Sequence, residues 1–132
     1  MTSTFEFEKR EFVRIPVNLS VRYKFLSHAE VSGELDHIYE GASQNIGAGG
    51  LLLRARLPDH AWISQLLTRT MLIGVNMLLP SREAPIKALC RVAWSSAVDE
   101  QNHVMLGLQF QEIADEDKDE ITKYVIRAQM PS

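Results

Sequence analysis

Residues 17–25 constrain the fold of this chain more than any other segment. Five apolar side chains alternate there with four polar ones, in the order Val17, Asn18, Leu19, Ser20, Val21, Arg22, Tyr23, Lys24 and Phe25. Successive side chains of an extended strand point to opposite faces, so an alternation with a period of two is typical of a strand. The pattern predicts a β-strand with one face in the core and the other in water.

Five further segments have strand patterns and are separated by turn residues. We predict strands over residues 42–46, 51–55, 71–79, 86–94 and 103–110. Residues 26–41 mix Ser, His, Gly and acidic side chains, which favours a turn followed by a shorter strand. Gly47, Gly49 and Gly50 lie between two of the strands, where glycine lets the chain adopt positive φ at little cost.

Two segments have helical patterns. Residues 61–67 carry Trp62, Ile63 and Leu66 near helical spacing, which predicts a short helical turn. A longer helix is predicted over about residues 114–129, with Asp115 as its cap, an acidic first turn and a basic last turn. Its apolar stripe consists of Ile121, Tyr124, Val125 and Ala128. Many strands and one terminal helix predict a mainly β fold, a closed antiparallel barrel with the helix packed across it.

Size and charge limit the classes of function. A chain of 132 residues, 45% of them hydrophobic, is long enough for one compact domain with a core and too short for two. Its formal net charge of -3 excludes the broad positive field of a protein that coats DNA or RNA. An anionic ligand must therefore be bound by a local group of residues.

The remaining reactive residues give no sign of an enzyme. Cys90 has no second cysteine for an internal disulfide, and as a strand residue it is predicted to be a buried apolar side chain. The four histidines are scattered without metal-ligand spacing. The N-terminal residues lack a signal-peptide pattern, and the apolar run at residues 71–79 is too short to span a bilayer. We expect a soluble cytoplasmic protein without direct membrane insertion.

A basic cluster precedes the first predicted strand. It consists of Lys9, Arg10 and Arg14, with the two arginines four residues apart. Guanidinium groups pair bidentately with phosphate and with the O6/N7 edge of guanine, so such a pair can hold a planar anionic ligand. The alternative is a set of solvated side chains that form weak surface ion pairs with the neighbouring glutamates.

A glycine-rich turn is the second candidate. Its sequence, Asn45-Ile46-Gly47-Ala48-Gly49-Gly50, lets main-chain N–H groups approach an anion or a base edge, and Asn can both donate and accept hydrogen bonds. The alternative is an ordinary hairpin turn with no ligand.

The two candidates together resemble the signature of the PilZ domain family of cyclic di-GMP receptors. That signature is an RxxxR element followed some thirty residues later by a D/N-x-S-x-x-G turn. Residues 10–14 match the first element, and Asn45 and Gly50 match the ends of the second. Residues 49–54, 90–94 and 106–110 are similar to the family's later strands, so the resemblance extends from residue 9 to residue 110.

The resemblance implies a six-stranded antiparallel barrel, here residues 15–132, with the nucleotide on its outer surface. A flexible N-terminal arm, residues 1–14, would carry the RxxxR element and fold over the ligand. Arg10 and Arg14 would contact phosphates and the Hoogsteen edge of guanine, while Asn45 and the backbone near Gly50 would meet the other face. Gly47 replaces the usual Ser or Ala, which would cost about 0.5–1.5 kcal/mol if a hydroxyl hydrogen bond is normally made there.

Two further residues have alternative roles. Trp94 could stack on a guanine, as the corresponding aromatic does in some PilZ domains. Its alternation with Ile86, Ala88, Cys90 and Val92 instead favours a place in the core. Lys9 extends the basic cluster and could favour an intercalated ligand dimer, or it is a surface lysine.

The function that the resemblance implies is a non-enzymatic receptor with no cofactor. It would change conformation on binding cyclic di-GMP and signal to an unidentified downstream protein in motility, biofilm or polysaccharide control, as a monomer or weak homodimer. One alternative is a PilZ-type adaptor that does not bind nucleotide and acts by protein docking. Another is an unrelated small barrel that binds peptides at an exposed strand edge.

Overall fold

The computed structural model of the protein describes residues 14–27, 37–80 and 83–129. Lys9, Arg10 and most of the predicted arm lie outside these residues. Within them the chain forms six strands and two helices, in the order β1 (Arg14–Ser27), β2 (Tyr39–Gly47), β3 (Gly50–Arg56), α1 (Trp62–Leu67), β4 (Met71–Met77), β5 (Ile86–Ser95), β6 (His103–Ile113) and α2 (Asp115–Gln129).

The six strands form a closed antiparallel barrel in the order β1-β2-β3-β6-β5-β4, with β4 pairing back to β1. This confirms the predicted mainly β fold with a short helix and a C-terminal helix. Each of these strands pairs with a neighbour on both sides, so the described part of the barrel has no open edge. Binding of a peptide by strand addition, one of the alternatives above, therefore has no place to occur on these strands.

The core fills the inside of the barrel with the inward side chains of the alternating strands. In β1, Val21, Tyr23 and Phe25 are almost fully buried, as the alternation predicts. The hydroxyl of Tyr23 accepts a hydrogen bond of 2.8 Å from the Arg56 N–H, which satisfies this buried polar group. Helix α1 contributes Trp62, whose ring centroid lies 5.2 Å from that of Phe25.

Helix α2 packs against the barrel through Ile121, Val125 and the half-buried Tyr124. Two details of the prediction were wrong. Ala128 is exposed and does not belong to the buried stripe. Asp115 is the first helical residue and not the cap, because the carbonyl of Ala114 accepts the first intrahelical bond, of 3.0 Å, from the Lys118 N–H.

The glycine-rich turn closes differently from the prediction. No described glycine has a positive φ, so the hairpin between β2 and β3 turns through Ala48 and Gly49 without it. The requirement for glycine at position 50 is steric, since a Cβ there would collide with the backbone carbonyl of Leu108 on β6. Strand β2 is also longer than expected, and the shorter strand predicted within residues 26–41 lies largely outside the described residues.

Candidate functional site

A large groove runs across the outside of the barrel. It is lined by the start of β1, the end of β2, the turn before β3, the strands β5 and β6, and the start of α2. Its volume of about 1130 Å³ lies above the range of roughly 300–1,000 Å³ that is usual for small-molecule sites. The groove can therefore accept a ligand as large as a dinucleotide.

Strand pairing brings the two predicted elements together in this groove. Arg14 is the first residue of β1 and pairs with Gly47, and Pro16 pairs with Asn45 on the same ladder. Arg14 and Asn45, which are 31 positions apart in the sequence, thus both line the groove. Arg14 belongs to the barrel itself, whereas Lys9 and Arg10 are outside the described residues.

Asn45 follows an irregularity in β2. The pairing with β3 shifts register between Ser43 and Asn45, and the buried Ser43 hydroxyl donates a 2.7 Å hydrogen bond to the Asn45 carbonyl. The side-chain Oδ1 of Asn45 is buried and accepts no hydrogen bond from any described residue. A buried acceptor without a donor costs about 1–3 kcal/mol, so Oδ1 is a group that a bound donor would satisfy.

The glycines of the turn take different positions from those that the resemblance implied. Gly47 and Gly50 are buried and do not line the groove, whereas Ala48 and Gly49 between them do. The carbonyl of Gly49 accepts a 2.9 Å hydrogen bond from the Phe110 N–H, which ties the turn to β6. The backbone that faces the groove here is therefore that of Ala48 and Gly49.

Trp94 lies in the groove and not in the core, so the core position favoured by its alternation was wrong. Its side chain is 47% exposed. The physical reason is a bulge in β5, where Val92 pairs with Leu108 but Trp94 pairs with the next residue, Gly107. The extra residue, Ala93, turns Trp94 from the inner face to the outer face.

Sequence reasoning missed several polar residues of the groove, among them Arg91, Gln109 and Lys118. Arg91 and Gln109 pair across β5 and β6, and the Arg91 Nε donates a 3.0 Å hydrogen bond to the Gln109 Oε1. Their outward positions in alternating strands were available as a signal, but alternation does not show which outward residues share a groove. Glu112 and Asp115 also line it, so the groove carries both signs of charge.

Two observations bear on metal and thiol chemistry in the described residues. No cluster of three or more His, Cys, Asp and Glu side chains that could hold a metal ion occurs in residues 14–27, 37–80 and 83–129. Burial raises the pKa of the Cys90 thiol to about 12, which disfavours the thiolate that a nucleophile needs. Neither α1 nor α2 is long and apolar enough to cross a membrane.

Solved structures share this fold at low sequence identity. The motility inhibitor MotI/DgrA of Bacillus subtilis is 21% identical with a TM-score of 0.66, over 92% of this chain and 51% of that chain. The PilZ domain of YcgR from Escherichia coli, solved with c-di-GMP, is 9% identical with a TM-score of 0.58, over 90% of each chain. PlzA of Borreliella burgdorferi, in complex with c-di-GMP, is 13% identical with a TM-score of 0.51, over all of this chain and 60% of that chain.

This chain thus spans about half the length of MotI/DgrA. No curated protein sequence matches it significantly. The family model of the PilZ domain matches residues 8–127, which include every described strand and nearly all of α2. The chain belongs to the PilZ domain family.

Proposed function

We propose that this protein is a receptor for cyclic di-GMP that binds the nucleotide in the outer groove and catalyses no reaction on it. The observation that carries the proposal is the meeting of Arg14, Asn45 and Trp94 in one groove, although they come from three different strands. These residues offer a cation, an unsatisfied acceptor and an aromatic face, which match the phosphates, the amide and amino donors and the base of a guanine nucleotide.

Each group has a chemical role in this proposal. The Arg14 guanidinium donates to phosphate oxygens or to O6 and N7 of guanine. The buried Oδ1 of Asn45 accepts a hydrogen bond from the ligand or from the arm. The exposed Trp94 ring stacks on a base, which is worth about 1–3 kcal/mol per base in comparable sites.

Membership of the family and the c-di-GMP complexes of YcgR and PlzA support this ligand. We propose that Lys9 and Arg10 join the site from the arm, and that the arm closes over the nucleotide and creates a surface for a downstream protein. Control of motility, biofilm or polysaccharide synthesis remains the proposed process. The likeness to MotI/DgrA, an inhibitor of motility, supports motility among these processes.

The test is calorimetric titration of cyclic di-GMP into the wild-type protein and two matched arginine variants. Arg14→Ala is expected to weaken binding by about 1.5–3 kcal/mol, the range for hydrogen bonds to charged groups. Arg22→Ala is the control, because this arginine of the same strand is 69% exposed, lies 3.7 Å from Glu40 and does not line the groove.

Micromolar or tighter binding that Arg14→Ala weakens by the expected amount and Arg22→Ala leaves unchanged would support the receptor. It would also show that glycine at position 47 is tolerated. No heat of binding, together with no increase in melting temperature, would contradict the proposal and leave the protein-docking adaptor as the better explanation.

A further inference from the structure

Two neighbouring cross-strand pairs form one wall of the groove. Arg91 pairs with Gln109, and Trp94 pairs with Gly107. Gly107 and Gln109 lie two residues apart on β6, so their side-chain positions share a face and are separated by about 7 Å. The two pairs are therefore neighbours on one face, and Arg91 and Trp94 both line the groove.

The bulge in β5 produces this arrangement. In a regular strand, residues 91 and 94 would point to opposite faces, because their separation is odd. The extra residue Ala93 removes that opposition and turns Trp94 to the side of Arg91. Gly107 then leaves the space that the indole occupies, since a Cβ at this position would collide with it.

Arg91 is oriented by one hydrogen bond and has further N–H donors on its terminal nitrogens. Its Nε–H is engaged by the Gln109 Oε1 at 3.0 Å, which orients the guanidinium. No ion pair joins Arg91 to an acidic side chain among the described residues. The N–H groups on its two terminal nitrogens make no hydrogen bond to another described side chain, so they can donate to a ligand.

We propose that Arg91, positioned by Gln109, donates to O6 and N7 of the guanine that stacks on Trp94, and thereby makes the groove select guanine. Guanine offers two acceptors on this edge, whereas adenine offers one acceptor and one donor. A guanidinium only donates hydrogen bonds, so it pairs with both acceptors of guanine and is mismatched with the amino donor of adenine. This inference rests on the proposed function and adds a specificity residue outside the RxxxR element and the glycine-rich turn.

The experiment is a chemical double-mutant cycle with two ligands, cyclic di-GMP and its analogue in which both guanines are 7-deazaguanine. The analogue replaces N7 by a C–H group and retains the phosphates and the ring. Calorimetry with wild type and Arg91→Ala gives four affinities. We expect Arg91→Ala to weaken cyclic di-GMP about tenfold or more and the analogue by a smaller factor, because the analogue has lost N7 and keeps only O6 of the two acceptors.

Arg22→Ala is the matched control and should leave all affinities unchanged, since Arg22 is outside the groove. Gln109→Ala should weaken cyclic di-GMP in the wild-type background but have little effect in the Arg91→Ala background, as expected of a residue that acts through Arg91. The melting temperature of each variant shows that the barrel remains folded.

Equal losses for the two ligands in Arg91→Ala would overturn the inference and assign Arg91 to a phosphate. Unchanged affinity for cyclic di-GMP would overturn it by removing Arg91 from the site. Both results leave the proposed function intact, because wild type still binds. If wild type binds neither ligand, the proposed function itself fails, and this inference fails with it.

Discussion

The indole of Trp94 occupies the space directly above Gly107 on the neighbouring strand. A Cβ at position 107 would collide with three atoms of the indole, including Nε1. The two residues are paired across β5 and β6 at the register shift that follows Val92. The bulge and the glycine together therefore set the place of the one described tryptophan that faces solvent.

We predict that Gly107→Ala displaces the Trp94 ring without unfolding the barrel. The atoms in the way belong to a half-exposed side chain that can swing outward, so the loss of stability should be below about 1 kcal/mol. Acrylamide quenching of tryptophan fluorescence should increase, and cyclic di-GMP should bind more weakly. Trp62 is only 4% exposed and contributes a constant background.

Trp94→Phe is the control for this measurement, because it removes the responsive fluorophore and leaves Trp62. Quenching that is the same in Gly107→Ala and wild type would show that the contact between Gly107 and the indole does not hold the ring.

Gly50→Ala should destabilise the protein far more than Gly74→Ala. At position 50 the new Cβ would collide with the Leu108 carbonyl, a backbone atom that can move only if β3 and β6 separate. Overpacking of this kind costs about 1–3 kcal/mol or more. At position 74 the new Cβ would lie 3.4 Å from its nearest neighbour, Leu26 Cδ1, which is an ordinary contact.

Urea unfolding of the two glycine variants measures this difference directly. Both substitutions reduce the entropy of the unfolded chain to the same extent, so the comparison isolates the steric term. Equal midpoints for Gly50→Ala and Gly74→Ala would contradict the close approach of β3 to β6.

Asn45→Ala is predicted to separate stability from binding. The substitution removes a buried Oδ1 that has no donor among the described residues, so the free protein should keep its stability or gain up to about 1–2 kcal/mol. Affinity for cyclic di-GMP should fall, because the ligand loses an acceptor. Thermal unfolding with and without nucleotide measures both effects, and marked destabilisation of the free protein would mean that Oδ1 is already satisfied.

Cys90 is predicted to lower the stability of the fold at alkaline pH. Burial raises the pKa of its thiol from 9.0 to about 12 in the folded protein. Between these values the unfolded chain loses a proton that the folded chain keeps, so the free energy of unfolding falls as pH rises, by up to about 1.4 kcal/mol per pH unit. Below pH 9 this group should have no effect.

Urea unfolding of wild type and Cys90→Ala between pH 8 and pH 11 tests the prediction. The pKa of Tyr23 is also raised, chiefly by burial, so it affects both proteins and cancels in the difference. The free energy of unfolding of wild type should fall toward that of Cys90→Ala as pH rises. A difference between the two that stays constant with pH would contradict a buried thiol.

The sequence was sufficient for the architecture because the architecture depends on local patterns. Alternation predicted the strands, of which residues 17–25 are the clearest case, and helical spacing predicted α1 and α2. The RxxxR element and the glycine-rich turn led to the family, which the family model confirms. Arg14 and Asn45 were also found in this way, and both line the groove.

Only the tertiary structure decided what else faces the groove and why. The alternation of β5 predicted Trp94 in the core, because a regular strand was assumed. The bulge that turns Trp94 outward depends on the pairing of β5 with β6 and is not visible in the local pattern. The roles of Gly50 and Gly107 likewise depend on atoms of other strands, the Leu108 carbonyl and the Trp94 indole, that are distant in the sequence. A local pattern determines which face of a strand a residue prefers. Which residues lie together in the groove depends on the pairing of strands that are distant in the sequence.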